Sequence, residues 1–236
     1  MNRSLTNAIR YVLDELLPPV LRDARWFMYP FFYIWYKGNT KEIKTYMDFK
    51  DIAYDMTEEE FIEVYRNLDC MARDRPTDLN TPCIKYMLAN LDPTALTLMD
   101  VGCGNGFWLN TVGDNNKKLK LTGCDLYDNV PTLKNADYVK GSIYKLPFAD
   151  NAFDIVTCHH TIEHLRELPD AIAELKRVAR KQLIIVTPRQ RYYFYTMDMH
   201  LNFYPIASYL QKEIQIKDNV CMDIKGDWVY LGKLNK

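Results

Sequence analysis

The segment LMDVGCGNGFW, Leu98 to Trp108, places three glycines within five residues of a chain that has only nine. The glycines follow an apolar run directly. A helix should begin near Gly106. That order, buried strand, glycine turn, helix, restricts the chain to folds in which a parallel strand feeds a helix. The turn brings bare main chain close to a ligand, beside the free N–H groups of a helix N-terminus.

Three ligand classes use such a turn. A phosphate-binding loop needs GxxxxGK[ST], and no Lys-Ser or Lys-Thr follows here. A dinucleotide turn reads GxGxxG and accepts a negative pyrophosphate. This turn reads GxGxG, with Asp100 just before it. A fixed negative charge there suits a cationic ligand better.

The rest of the chain supports an α/β reading. From about Leu96, short apolar runs alternate with helical or loop segments, with strands predicted at 96–101, 119–124, 137–140, 153–158, 182–187, 215–223 and 227–232. A helix over about 167–180 carries Ile172, Leu175, Val178 and Ala179 on one face. Such alternation predicts a mostly parallel sheet with helices on both faces. Lys225-Gly226-Asp227 predicts a closing antiparallel hairpin. The first third reads as helical. Leu5, Ile9, Val12, Leu13, Leu16 and Leu17 recur at helical spacing until Pro18-Pro19. A second helix starts at Thr57, with Glu60 placed for a capping box and Phe61, Val64, Tyr65 and Leu68 on its apolar face. DRPTDLNTP, residues 74–82, reads as a polar connector. The expected division is a helical region over 1–92, covering the acceptor site, and a core domain over 93–236.

The order of motifs after the glycine turn resembles the class I S-adenosylmethionine-dependent methyltransferases, in a Rossmann-like sheet. Asp125, in LTGCDL, matches the acidic residue that takes the ribose hydroxyls. VKGSIYKLPFADNAFDIVTCHHTIEHL, Val139 to Leu165, is similar to the third and fourth motifs. The resemblance runs over roughly 80–232 and implies S-adenosylmethionine as cofactor. It assigns cofactor contacts to Asp100, Gly102, Cys103, Gly104, Gly106, Asp125, Leu126, Ser142, Ile143 and His159. Two departures stand out. Ser142 occupies a place where the family usually has an acidic residue. Twelve residues, 126–137, separate Asp125 from Tyr138, so the usual helix between the second and third strands is short or missing.

His159, His160 and His164 lie within six residues after the fourth strand, and His200 follows the fifth. Ligands sit beyond the carboxyl ends of parallel strands, so the three are expected near the reacting methyl group. Three readings stay open. A Glu-His pair can cap the next helix or pack on the cofactor. His160 or His159 can act as base, with Glu163 orienting a ring and His164 close by. TCHHTIEHL also lines up with the ExxEH pattern of ubiquinone-pathway O-methyltransferases and small-RNA terminal 2′-O-methyltransferases. There His160, Glu163, His164 and His200 would be metal ligands. His160 replaces a carboxylate in that pattern, and a divalent metal is not expected.

TPRQRYYFYTMDMHLNFYPIASYL, Thr187 to Leu210, resembles the corresponding region of methyltransferases of glycan and lipid biosynthesis. Arg189, Arg191, Tyr192 and His200 are the residues expected to meet the substrate. The expected reaction is methylation of a small-molecule acceptor, a hydroxyl of a sugar, glycan or lipid-linked intermediate. The alternative is metal-assisted O-methylation of an RNA 2′-hydroxyl or of a catechol-like or quinone precursor. The net charge of −1 and the lack of a basic stripe argue against DNA and RNA partners.

Six cysteines without a CxxC pair fit a reducing compartment, and the chain is expected in the cytoplasm. No run of about 18 apolar residues is present, so no helical span is expected. WFMYPFFYIWY, residues 26–36, has eight aromatic rings and no charge. It is expected either to pack as core and acceptor-site cover or to lie on a membrane surface, giving peripheral contact.

Overall fold

The computed structural model describes residues 11–12, 16–66, 76–126, 133–195 and 197–234. The chain divides into two compact units. One comprises Met1–Arg75 with Gln190–Phe203, the other Pro76–Arg189 with Tyr204–Lys236.

The first unit is helical: α1 (Pro19–Arg22), α2 (Arg25–Trp35), α3 (Thr40–Ile52) and α4 (Glu58–Arg66). Asn39 caps α3 by accepting the Glu42 N–H at 3.4 Å. The expected capping box opens α4. Glu60 accepts the Thr57 N–H at 2.9 Å, and the Thr57 hydroxyl accepts the Glu60 N–H at 3.2 Å. Leu68 lies outside the described residues. The aromatic run is a helix with two unlike faces. Met28 and Phe32 enter the unit's own core with Tyr36, Tyr46, Phe49 and Phe61. Tyr36 stacks on Tyr46 at 4.5 Å. Pro30 sits inside α2 on its exposed side, where the carbonyl it cannot serve is open to water. The helix expected over 5–17 lies largely outside the described residues; of its apolar positions, Val12 and Leu16 are exposed.

The second unit is a seven-stranded sheet in the order β3-β2-β1-β4-β5-β7-β6. Its strands are β1 (Thr97–Val101), β2 (Lys120–Asp125), β3 (Ala136–Lys140), β4 (Phe153–His159), β5 (Ala179–Pro188), β6 (Asp218–Ile224) and β7 (Asp227–Lys233). The first five are parallel; β7 runs antiparallel to β5, and β6 to β7. Lys225 and Gly226, both at positive φ, make the hairpin turn. Alternate residues feed opposite faces. Met99, Val156 and Ile185 pack with Ile172 and Leu175 of α7 (Leu168–Val178) and Leu210 of α8 (Ala207–Ile214). Leu98, Ile155 and Ile184 pack with Met87 of α5 (Thr81–Ala89) and Leu109 of α6 (Phe107–Asn115).

Two of the sheet unit's described helices were not individually read from the sequence. The stretch read as a connector ends by starting α5. Asn80 accepts the Cys83 N–H at 2.8 Å, and Pro82 sits in the first turn, where no N–H is needed. The other is α8. No helix separates β2 from β3 among the described residues, which omit 127–132.

Candidate functional site

The tips of β1, β2 and β4 lie side by side, because β1 pairs with both others. All three glycines of the turn have positive φ: +71° at Gly102, +50° at Gly104 and +75° at Gly106. L side chains rarely adopt that region. Gly102 and Gly104 meet different surroundings. A Cβ on Gly102 would stand 2.4 Å from the Thr161 hydroxyl oxygen, whereas one on Gly104 would meet nothing within 4 Å. The first glycine packs against the loop after β4. The second faces open space.

Asp125 ends β2 beside that opening. One carboxylate oxygen accepts the Gly104 N–H at 2.8 Å, and the other accepts the Leu126 N–H at 2.7 Å. An ionised carboxylate has about four lone-pair sites, so each oxygen can accept more than one donor. Asp100 is buried instead. Its Oδ1 accepts the Thr157 hydroxyl at 2.7 Å and lies 3.3 Å from His159 Nδ1. His159 meets the ring of Trp108 edge-on at 5.3 Å. Ile143 is buried and Ser142 half-buried in the loop after β3.

Cys103 is buried beside the turn, and burial pushes its thiol well above the usual range, helped by Asp100 and Asp125. Burial also raises Cys124, to about 11, and Cys158. These three are neutral packing groups, not nucleophiles.

Beyond β4 the chain turns sharply at His160, a non-glycine residue at φ +47°. Its N–H donates to the Val186 carbonyl at 2.8 Å. Its ring lies between two carboxylates, with Nδ1 3.3 Å from Glu163 Oε1 and Nε2 4.0 Å from Asp227 Oδ2. Burial works to lower the His160 pKa, but Glu163 and Asp227, with Asp78, outweigh it and the net shift is upward. Glu163 is buried and accepts the Thr187 hydroxyl at 3.2 Å. Asp227 accepts Asn80 Nδ2 at 2.7 Å. His164 follows in a single 3₁₀ turn, Ile162–His164.

The expected substrate residues are divided between the units. Arg189, at the end of β5, pairs with Asp223 at 2.9 Å. Arg191 and Tyr192 are exposed in the helical unit's returning segment. His200 is buried in that segment, with Nδ1 2.6 Å from Gln190 Oε1 and 3.3 Å from Asp198.

The sequence reading missed Thr157, Thr161, Asn80 and Asp227. The Asn-Thr-Pro helix start could have flagged Asn80. The others need the β1–β4 and β5–β7 pairings, which no local pattern states.

Comparison with known proteins places this geometry. Residues 99–187 match the methyltransferase domain family. An uncharacterized methyltransferase of Schizosaccharomyces pombe is 36% identical over 116 residues, 42% of this chain and 41% of that one. A demethylmenaquinone methyltransferase of Lactococcus lactis is 29% identical over 100 residues, 38% of each chain. The chain thus spans about two-fifths of the length of these curated relatives. Human N-acetylserotonin methyltransferase, solved with S-adenosylmethionine, superposes with a TM-score of 0.53 at 11% identity, over 65% of this chain and 52% of that one. That likeness is one of fold. Sequence match and fold likeness together make residues 99–187 similar to the S-adenosylmethionine-dependent methyltransferase domains.

Proposed function

We propose that the chain moves a methyl group from S-adenosylmethionine to a small-molecule acceptor. One observation carries the reading: the Asp125 carboxylate rests on the N–H of Gly104, at a turn whose second glycine faces open space. When bound, the cofactor supplies a methyl group on a positively charged sulfur. The turn's main chain can approach the methionine end closely, and Asp100 adds negative charge beneath it. Asp125 accepts the two ribose hydroxyls, and Leu126, Ser142 and Ile143 border the adenosine. On the acceptor side, His160 or His159 takes the proton that an attacking hydroxyl must lose, and Glu163 orients the His160 ring.

For the acceptor we propose a hydroxyl of a sugar, glycan or lipid-linked intermediate. The similarity of Thr187 to Leu210 to the corresponding region of methyltransferases of glycan and lipid biosynthesis supports this. A second reading, a quinone precursor, is favoured by the demethylmenaquinone methyltransferase among the relatives. The test is incubation with methyl-labelled cofactor and a fractionated extract. Label in a sugar or lipid-linked product supports the first acceptor, and label in a quinone precursor the second. Failure to bind S-adenosylmethionine in a calorimetric titration would overturn both. Metal content of the purified protein, compared with His160→Ala, separates metal-assisted chemistry from simple base catalysis.

A further inference from the structure

We propose that the outer face of α2 docks on an anionic lipid membrane. This stands independently of the methyl-transfer reading. Helix α2 has eleven residues and buries only Met28 and Phe32. Trp26 is 74% exposed and Ile34 76%, and Tyr29, Phe31 and Tyr33 are exposed as well. Trp26, Pro30 and Tyr33 follow one another at helical spacing, so they share the face opposite Met28 and Phe32. Ile34 lies at the edge of that face. A globular surface tolerates single exposed apolar residues, but a contiguous apolar face marks an interaction site.

The chemistry of the face selects a lipid surface over a protein. Tryptophan and tyrosine prefer the headgroup boundary, where an apolar ring can stay wet at one end. Charge points the same way. Residues 24–41 contain Arg25, Lys37 and Lys41 and no aspartate or glutamate, with Asp23 and Glu42 immediately outside them. Arg25 pairs with Asp48, while Lys37 and Lys41 are exposed, just beyond the C-terminal end of the aromatic face. A short amphipathic helix with an aromatic side and lysines at its border lies in the plane of the interface, and anionic headgroups hold the lysines. Among the described residues no helix is long and apolar enough to cross a membrane, so contact through this helix would be peripheral.

The test is co-sedimentation of the full chain with vesicles of phosphatidylcholine alone and of phosphatidylcholine mixed with phosphatidylserine. The expected result is binding to the mixed vesicles, with a blue shift of tryptophan emission. Trp26→Ser combined with Ile34→Ser should weaken binding by at least about tenfold, since each side chain buries apolar area in the interface. Lys37→Glu with Lys41→Glu, a second pair outside the aromatic face, should weaken binding to the mixed vesicles alone. Circular dichroism and thermal melting check that each variant folds. The proposal is overturned if the wild type stays in solution with both vesicles, or if the serine pair binds as the wild type does. It is also overturned if the wild type is a dimer that ignores vesicles and that the serine pair dissociates; the face would then belong to a second copy of the chain.

Discussion

Asp125 Oδ2 accepts the main-chain N–H of Gly104 at 2.8 Å, joining the tip of β2 to the glycine turn that follows β1. The contact fixes the carboxylate at the rim of the turn. Asp125→Asn keeps the size and can still accept the Gly104 N–H. It loses one acceptor oxygen and the negative charge. Two charge-assisted hydrogen bonds to ribose hydroxyls would weaken, each worth about 1.5–3 kcal/mol. Affinity for S-adenosylmethionine should therefore fall about 10–100-fold in calorimetry, while the lost acceptor for the Leu126 N–H should cost about 1 kcal/mol of stability. Unaltered affinity would remove Asp125 from the site.

Gly102 and Gly104 share a backbone region but not a neighbourhood, and alanine at each should separate folding from binding. At Gly102 the new methyl would sit 2.4 Å from Thr161 Oγ1. Strain in φ adds to that clash, so Gly102→Ala should lose about 2–4 kcal/mol of stability in urea unfolding. Thr161→Ala in the same chain should restore part of it, because the two closest atoms disappear. At Gly104 only the φ strain applies, about 1 kcal/mol, and the methyl would stand in the opening. Gly104→Ala should unfold near the wild-type midpoint yet bind the cofactor poorly. Equal stability losses at the two glycines would refute the assignment.

The far end of the sheet offers a stability test apart from the site. Asp154 is buried at the start of β4, where it accepts the Leu96 N–H at 2.8 Å and Arg180 Nε at 2.9 Å, with Lys181 at 3.3 Å. Burial alone would raise its pKa. The Leu96 N–H, Arg180 and Lys181 outweigh that and hold it at about 2. A folded pKa below the unfolded value near 3.9 means stability that is present above pH 4 and lost as pH falls through about 2. The displacement corresponds to about 2.6 kcal/mol. Asp154→Asn should lower stability at neutral pH by roughly that amount or more and flatten the acid limb of the unfolding curve between about pH 4 and pH 2. An unchanged acid limb would assign that limb to other carboxylates.

The sequence was legible wherever one local pattern had one physical cause. Gly102, Gly104 and Gly106 needed positive φ, and they have it. The Thr57–Glu60 box and the Lys225-Gly226 turn were readable for the same reason. What could not be read is lateral. Asp100 meets Thr157 because β1 pairs with β4 in a register that sets the two side by side. Asp227 approaches His160 from the start of β7, 67 positions later in the chain. The α2 helix shows a different limit. Eight aromatic rings in eleven residues state that apolar area exists, but only its winding around Met28 and Phe32 decides which rings are core and which face outward.

Glu163 decides how the histidine cluster is to be understood. It is buried, with one oxygen 3.2 Å from the Thr187 hydroxyl and the other 3.3 Å from His160 Nδ1. Its negative charge stabilises the imidazolium, and with Asp227 it lifts the His160 pKa against the pull of burial. A base must be unprotonated to act, so activity resting on His160 should rise with pH through that raised value. Glu163→Gln keeps the shape and a carbonyl for Thr187 but removes the charge. The His160 pKa should then drop, and the rising limb of kcat against pH should move to lower pH. His160→Gln should abolish the limb altogether and cut kcat by about 10²–10⁴-fold, the usual worth of a general base. If His160 only packs the loop after β4, both variants would lower stability and expression while the pH profile of the residual activity stayed where it was. The two cases differ in the position of a titration limb, not in the size of an activity loss, so a partly unfolded variant cannot mimic the first.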